Sequence, residues 1–128
     1  IGTANNWSKN ALLWNIALDQ NDGPKNKGCD NCRGVVTINS DGSITKNVEY
    51  YTIAHMSKFI RPGAFRVKSD PFNSTSKLES SAFINTDGSK VLVVLNQSAD
   101  NQKFTVADGS KQFNYNIEPN SVVTLVWK

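Results

Sequence analysis

The arrangement of apolar and polar positions separates the 128 residues into two regions with different grammar. In the first, up to about Pro62, the run Ala11-Leu12-Leu13-Trp14-Asn15-Ile16-Ala17-Leu18 is apolar everywhere except Asn15. A strand with one wet face alternates, whereas an unbroken apolar run suits a strand covered on both faces. The pattern predicts such a strand over Leu12–Leu18, ended by the turn-rich Asp19-Gln20-Asn21-Asp22-Gly23-Pro24. A short β segment follows from Gly34 to Asn39, and Asp41-Gly42 turns the chain back into Ile44 and Thr45. A helix is expected next, capped by Asn47, with Glu49 in its first turn near the positive end of the dipole. Tyr50, Ile53, Ala54, Met56 and Ile60 share one broad arc, with Thr52, His55 and Lys58 opposite, and Pro62-Gly63 stops the helix.

The second region, from Ala64 onward, alternates with period two. Phe65 and Val67 interleave with Arg66 and Lys68, and a looser Ser/Thr/Asn stretch runs from Asp70 to Ser76. Ala82-Phe83-Ile84, the turn Thr86-Asp87-Gly88-Ser89 and Val91–Leu95 make the clearest hairpin. Phe104-Thr105-Val106 and Phe113–Ile117 flank Asp108-Gly109, and Val122–Trp127 closes the chain. Short strands near ten residues apart with Asp-Gly turns point to two packed antiparallel sheets. The expected fold is therefore mainly β: an antiparallel sandwich preceded by one strand–loop–helix unit. A parallel strand needs neighbours joined by crossovers, and this chain offers none for Leu12–Leu18, so that run looks built for partners outside it.

Composition narrows the function. The length suits one compact domain. A net charge of +3 on 20% charged residues, with no long Lys/Arg run, argues against a nucleic-acid or membrane-surface partner. The longest apolar stretches are too short to span a bilayer. Abundant Asn, Ser and Thr, with 2 Cys, 1 Met and 1 His, lean towards a secreted protein, extracellular or periplasmic. Sequons occur at Asn6, Asn73 and Asn96. Ile1-Gly2-Thr3-Ala4 has no targeting character, which fits a processed protein or a piece of a longer one.

Candidate chemistry is sparse. Cys29 and Cys32 with a single His cannot supply four zinc ligands, and no helix opens at the pair as a redox motif requires. Two readings stand: a local disulfide in an oxidising compartment, or two free thiols. Asp19 and Asp22 are expected to serve the turn before Gly23-Pro24 rather than act as a catalytic pair. His55 reads as a structural hydrogen-bonding residue, and Trp7 and Trp127 as packing residues. No phosphate loop, metal site or cofactor is expected.

Five strings together carry a family resemblance. Leu13-Trp14-Asn15-Ile16-Ala17-Leu18-Asp19 with Gly23-Pro24 resembles the eighth barrel strand of glycoside hydrolase family 30, and Cys32-Arg33-Gly34-Val35-Val36-Thr37-Ile38 fits the same family. Glu49-Tyr50-Tyr51 leading to His55-Met56-Ser57-Lys58-Phe59-Ile60-Arg61-Pro62-Gly63-Ala64 resembles its last barrel helix. Asp87–Asn96 and Pro119-Asn120-Ser121-Val122 fit its β side domain, in the right order.

The resemblance implies a (β/α)₈ barrel fused to a β-sandwich, with residues 1–62 ending the barrel and 63–128 forming the sandwich. It also implies retaining hydrolysis of β-glycosidic bonds by two glutamates that lie on earlier barrel strands, so no catalytic residue is expected here. A whole barrel takes about 250 residues, which 128 cannot hold. The expected role is non-catalytic support of a β-glucan, glucosylceramide-like or xylan hydrolase. Its partners would be the missing N-terminal barrel and the carbohydrate substrate, with self-association of the 128-residue piece a further expectation.

The resemblance also carries a substrate-lining role onto Trp14, with Asn15 beside it as a polar contact. The other reading makes Trp14 a core residue. From a different class, a stand-alone carbohydrate-binding module would bind sugar through exposed aromatics such as Tyr115 or Trp127.

Overall fold

A computed structural model describes residues 1–69, 72–73 and 75–128. The sequon at Asn73 and the loose stretch from Asp70 therefore lie partly outside the described residues. Two compact units result. One is Lys9–Ala54; the other joins Ile1–Ser8 to His55–Lys128.

In the first unit the local sequence decides less than expected. The long apolar run does not form one strand: only β1 (Ala17–Asp19) is extended, and Asn15 adopts a left-handed φ of 68°. Asn tolerates that region at little cost, and Leu12–Trp14 find no ladder to join. The expectation that this chain offers no parallel partner is also corrected. β1 pairs in parallel with β2 (Val36–Ile38), Ala17 opposite Val36, and β3 (Ile44–Lys46) adds antiparallel to β2. Gly34 makes this closeness possible, since a Cβ there would meet Leu18 N and Ala17 Cα within 3 Å.

The β2–β3 hairpin turns on Asn39-Ser40-Asp41-Gly42-Ser43. Ser43 N–H bonds Asp41 Oδ1, Asn39 Nδ2 bonds Ser43 Oγ, and Gly42 sits at φ 81°. The helix α2 (Val48–Ser57) follows. Asn47 is not the expected side-chain cap. Its carbonyl accepts from Tyr50 N–H, while its amide nitrogen donates to Gly34 O and Thr37 Oγ1. The helix ends at Ser57, before Pro62, although Ile60 N–H still reaches back to Met56 O.

The second unit is the antiparallel sandwich. One sheet runs β4 (Phe65–Val67), β5 (Leu78–Ile84), β6 (Lys90–Asn96), β9 (Ser121–Trp127); the other, among the described residues, pairs β7 (Gln102–Asp108) with β8 (Lys111–Ile117). The β5–β6 turn, Asn85-Thr86-Asp87-Gly88-Ser89, repeats the β2–β3 turn almost residue for residue, including Asn85 Nδ2 to Ser89 Oγ and φ 79° at Gly88.

β6 is the strand covered on both faces. Leu92 and Val94 pack with Phe104, Val106 and Ile117 between the sheets. Val91 and Val93 pack with Phe83 on the other side, where Met56, Phe59, Ile60 and residues Ile1 and Ala4 of the short helix α1 (Gly2–Asn5) cover them. A continuous apolar run thus marks double coverage here, as it does not at Leu12–Leu18.

Candidate functional site

Trp14 and Asn15 sit in non-strand backbone just ahead of β1. Trp14 is 79% exposed, in a run with Leu12 at 89% and Ile16 at 79%. Its ring is largely exposed in this chain. The Ile16 carbonyl accepts from Val36 N–H. β1 lies at the edge of its sheet, so its outer side carries no ladder among the described residues.

At the other end of β1 the chain reverses through Asp19. One carboxylate oxygen accepts from the N–H groups of Asn21 and Gly23 at 2.8 and 2.9 Å. Those backbone donors hold the Asp19 carboxyl below the usual carboxylate range. A carboxylate stabilised in this way is a turn anchor and a poor proton donor near neutral pH. Asp22, at φ 58°, donates its N–H to Asp19 O and serves the same turn.

The loop that follows is tied twice. Cys29 and Cys32 form a disulfide with their Cα atoms 5.5 Å apart. Beyond it, Arg33 Nη2 reaches both oxygens of Glu49 at 2.9 and 3.0 Å, joining the loop to the first turn of α2. That hydrogen bond draws the Glu49 carboxyl down and the Arg33 guanidinium up. Periodicity assigned Glu49 to the helix dipole and missed this pair, because no local signal links residues 16 apart.

In the sandwich unit, polar residues serve structure. Asn96 is fully buried, donates to Asp100 O and Glu118 O, and accepts from Ser98. Its sequon is thus a buried turn clamp rather than an accessible attachment point. His55, expected on the wet face of its helix, instead faces β9: its Nδ1 lies 2.9 Å from Thr124 Oγ1, which donates to His55 O. Trp127 is half-buried and donates to Asp108, and Tyr115 is half-buried with its ring 5.6 Å from that of Phe104. Trp7 is exposed, with the Arg66 guanidinium 4.2 Å above its ring. Among the described residues, no three His, Cys, Asp or Glu side chains gather as metal ligands, and no helix is long and apolar enough to cross a membrane.

The exposed indole of Trp14 stands beside the amide side chain of Asn15 in sequence, ahead of the Asp19 turn. Residues 63–125 match the glycosyl hydrolase family 30 β-sandwich domain. The Endo-1,6-beta-D-glucanase neg1 of Aspergillus fumigatus is 33% identical over 98% of this chain and 27% of its own length. The lysosomal acid glucosylceramidase of Mus musculus is 34% identical over 90% of this chain and 22% of its own length. The solved endo-β1,6-glucanase BT3312 superposes with a TM-score of 0.89 at 39% identity, covering 98% of this chain and 28% of that one. The chain spans about a quarter of the length of the curated relatives it matches.

Proposed function

Because this chain belongs to glycoside hydrolase family 30, as the C-terminal β-sandwich portion, we propose that it serves an enzyme that hydrolyses the β-1,6 bonds of a glucan with retention. Residues 1–62 complete the catalytic barrel and residues 63–128 form the side domain that braces it. Trp14 presents its ring to the apolar face of a pyranose, and Asn15 supplies a hydrogen bond at its edge. The two catalytic glutamates belong to the remainder of the polypeptide. The enzyme works outside the cytoplasm, where the Cys29–Cys32 disulfide persists.

One observation carries this reading: Leu12, Leu13, Trp14 and Ile16 are all exposed beside an open strand edge. A contiguous apolar stretch of that kind marks a surface meant to be covered. β-1,6-glucan is favoured over glucosylceramide because glucanases are among the relatives matched over 98% of the chain.

The test compares two proteins on β-1,6-glucan, following anomeric protons by NMR. The longer polypeptide containing this chain releases β-anomer first; the 128-residue chain releases nothing and gives no heat with the glucan in calorimetry. Cleavage by the 128-residue chain at enzymatic rates would sink the proposal, as would inactivity of the longer protein on every β-glucoside.

A further inference from the structure

One polar depression of about 300 Å³ lies wholly within the sandwich unit. Asn5 at the end of α1, Arg66 of β4, Lys68 and Ser69 just beyond it, and Glu79 of β5 border it. The Asn5 amide donates to Ser80 O at 2.9 Å, which fixes α1 against β5. Phe72 and Leu78 add apolar surface, so the depression mixes apolar wall with a few convergent polar groups, as small-ligand sites do.

Arg66 links this depression to an aromatic ring. Its guanidinium stands 4.2 Å from the ring centre of Trp7, which is 78% exposed. The cation covers one face of the indole and steadies it, while the other face is open. The buried Arg66 Nε has no hydrogen-bond partner, and among the described residues neither Arg66 nor Lys68 forms an ion pair. Glu79 is already engaged, one oxygen accepting from Gln97 at 2.8 Å. Two unpaired cations favour an anion, and an open indole face suits the apolar C–H face of a pyranose. We propose that the depression and Trp7 together bind an acidic saccharide. Its carboxylate or sulfate meets Arg66 and Lys68, its ring stacks on Trp7, and Asn5 and Glu79 take hydroxyl groups. Neutral β-1,6-glucan lacks the charge, so this ligand is not the substrate proposed for Trp14.

NMR titrations of the 128-residue chain and of the longer polypeptide test this. Trigalacturonate should shift the Trp7 indole N–H resonance in both, with a Kd on the order of 1 mM. Binding should weaken severalfold when salt is raised to about 0.5 M, because the charges lie near the surface. Followed through the β4 amides, affinity should fall at least about tenfold in Trp7→Ala and in Lys68→Gln. Both positions are exposed, so the amide spectrum of each variant should otherwise match wild type. Galactose 6-sulfate tells the two anions apart, and binding of either acidic sugar supports the site. Equal shifts with neutral β-1,6-glucan or with inorganic sulfate alone overturn the proposal. So do affinities unchanged in both variants, or no response to either acidic sugar in the longer polypeptide. Hydrolysis of β-1,6-glucan is measured separately, so failure here leaves the proposed activity standing.

Discussion

The indole N–H of Trp127 donates to Asp108 Oδ2 at 2.8 Å, joining the last residue of β9 to the turn that ends β7. Lys90 of β6 donates to both oxygens of the same carboxylate, to Oδ1 at 2.6 Å. Asp108 therefore ties three strands from both sheets.

That clasp responds to acid. Lys90, and then the Trp127 N–H, hold the Asp108 carboxyl below its ordinary value. A carboxyl lowered on folding stabilises the native state above its unfolded value, and the contribution fades as pH falls through the lowered one. Thermal melts should show wild type and Asp108→Asn differing at pH 7 and converging below about pH 4, near the unfolded carboxyl value. A gap that stays constant down to low pH would refute the assignment.

Coverage of β6 makes a sharper contrast. Leu92→Ala should cost about 2–5 kcal/mol in urea unfolding, because it empties space between the sheets. Leu12→Ala, at an 89% exposed position, should change stability by about 0.5 kcal/mol or less. Equal costs would mean that Leu12 is buried in solution.

Asn96 supplies a third case. Asn96→Ala removes both donors to Asp100 O and Glu118 O and leaves buried groups unpaired. About 1–3 kcal/mol should be lost for an unsatisfied group, read from the shift in urea midpoint at constant slope. When the protein is made in a glycosylating host, peptide mapping should find Asn96 unmodified.

Cys29 and Cys32 enclose a very short loop, so their bond restricts the unfolded chain only modestly. On the chain-entropy account the double serine variant loses about 2 kcal/mol. Exchange in Lys9–Ala54 should register that loss, with β5–β6 unaffected. A global loss shared by both units would contradict it.

For the proposed enzyme, Trp14→Ala should raise KM for β-1,6-glucan about tenfold, equivalent to ~1.4 kcal/mol of lost binding. Trp14→Phe should recover part of it. If Trp14→Ala instead lowers the melting temperature with KM unchanged, the ring packs and does not bind sugar.

Local chemistry was legible wherever a few neighbouring residues decide the outcome. Asn-Ser-Asp-Gly-Ser and Asn-Thr-Asp-Gly-Ser each contain every donor, acceptor and left-handed glycine their turn uses, so the two turns agree although they lie in different units. Alternation in Phe104–Val106 and Phe113–Ile117 likewise suffices to make a hairpin around Asp108-Gly109. A substrate-lining role for Trp14 and Asn15 is what the family resemblance implies and the proposal adopts, since an apolar run alone makes no distinction between a core and a sugar platform.

An apolar run states that burial is wanted; it does not name what will do the covering. Val91–Leu95 finds β5, β9 and both apolar layers within the chain, and becomes a central strand. Leu12–Ile16 finds nothing of the kind, so the strand shrinks to Ala17–Asp19, where Val36–Ile38 is at hand. His55 with Thr124 and Arg33 with Glu49 belong to the same class, because hydrogen bonds between distant residues exist only after the backbone has brought them together. Amino-acid order by itself determined the turns, the hairpins and the demand for burial. Tertiary structure decided which of those demands are met, because pairing and coverage depend on the neighbours that the fold delivers.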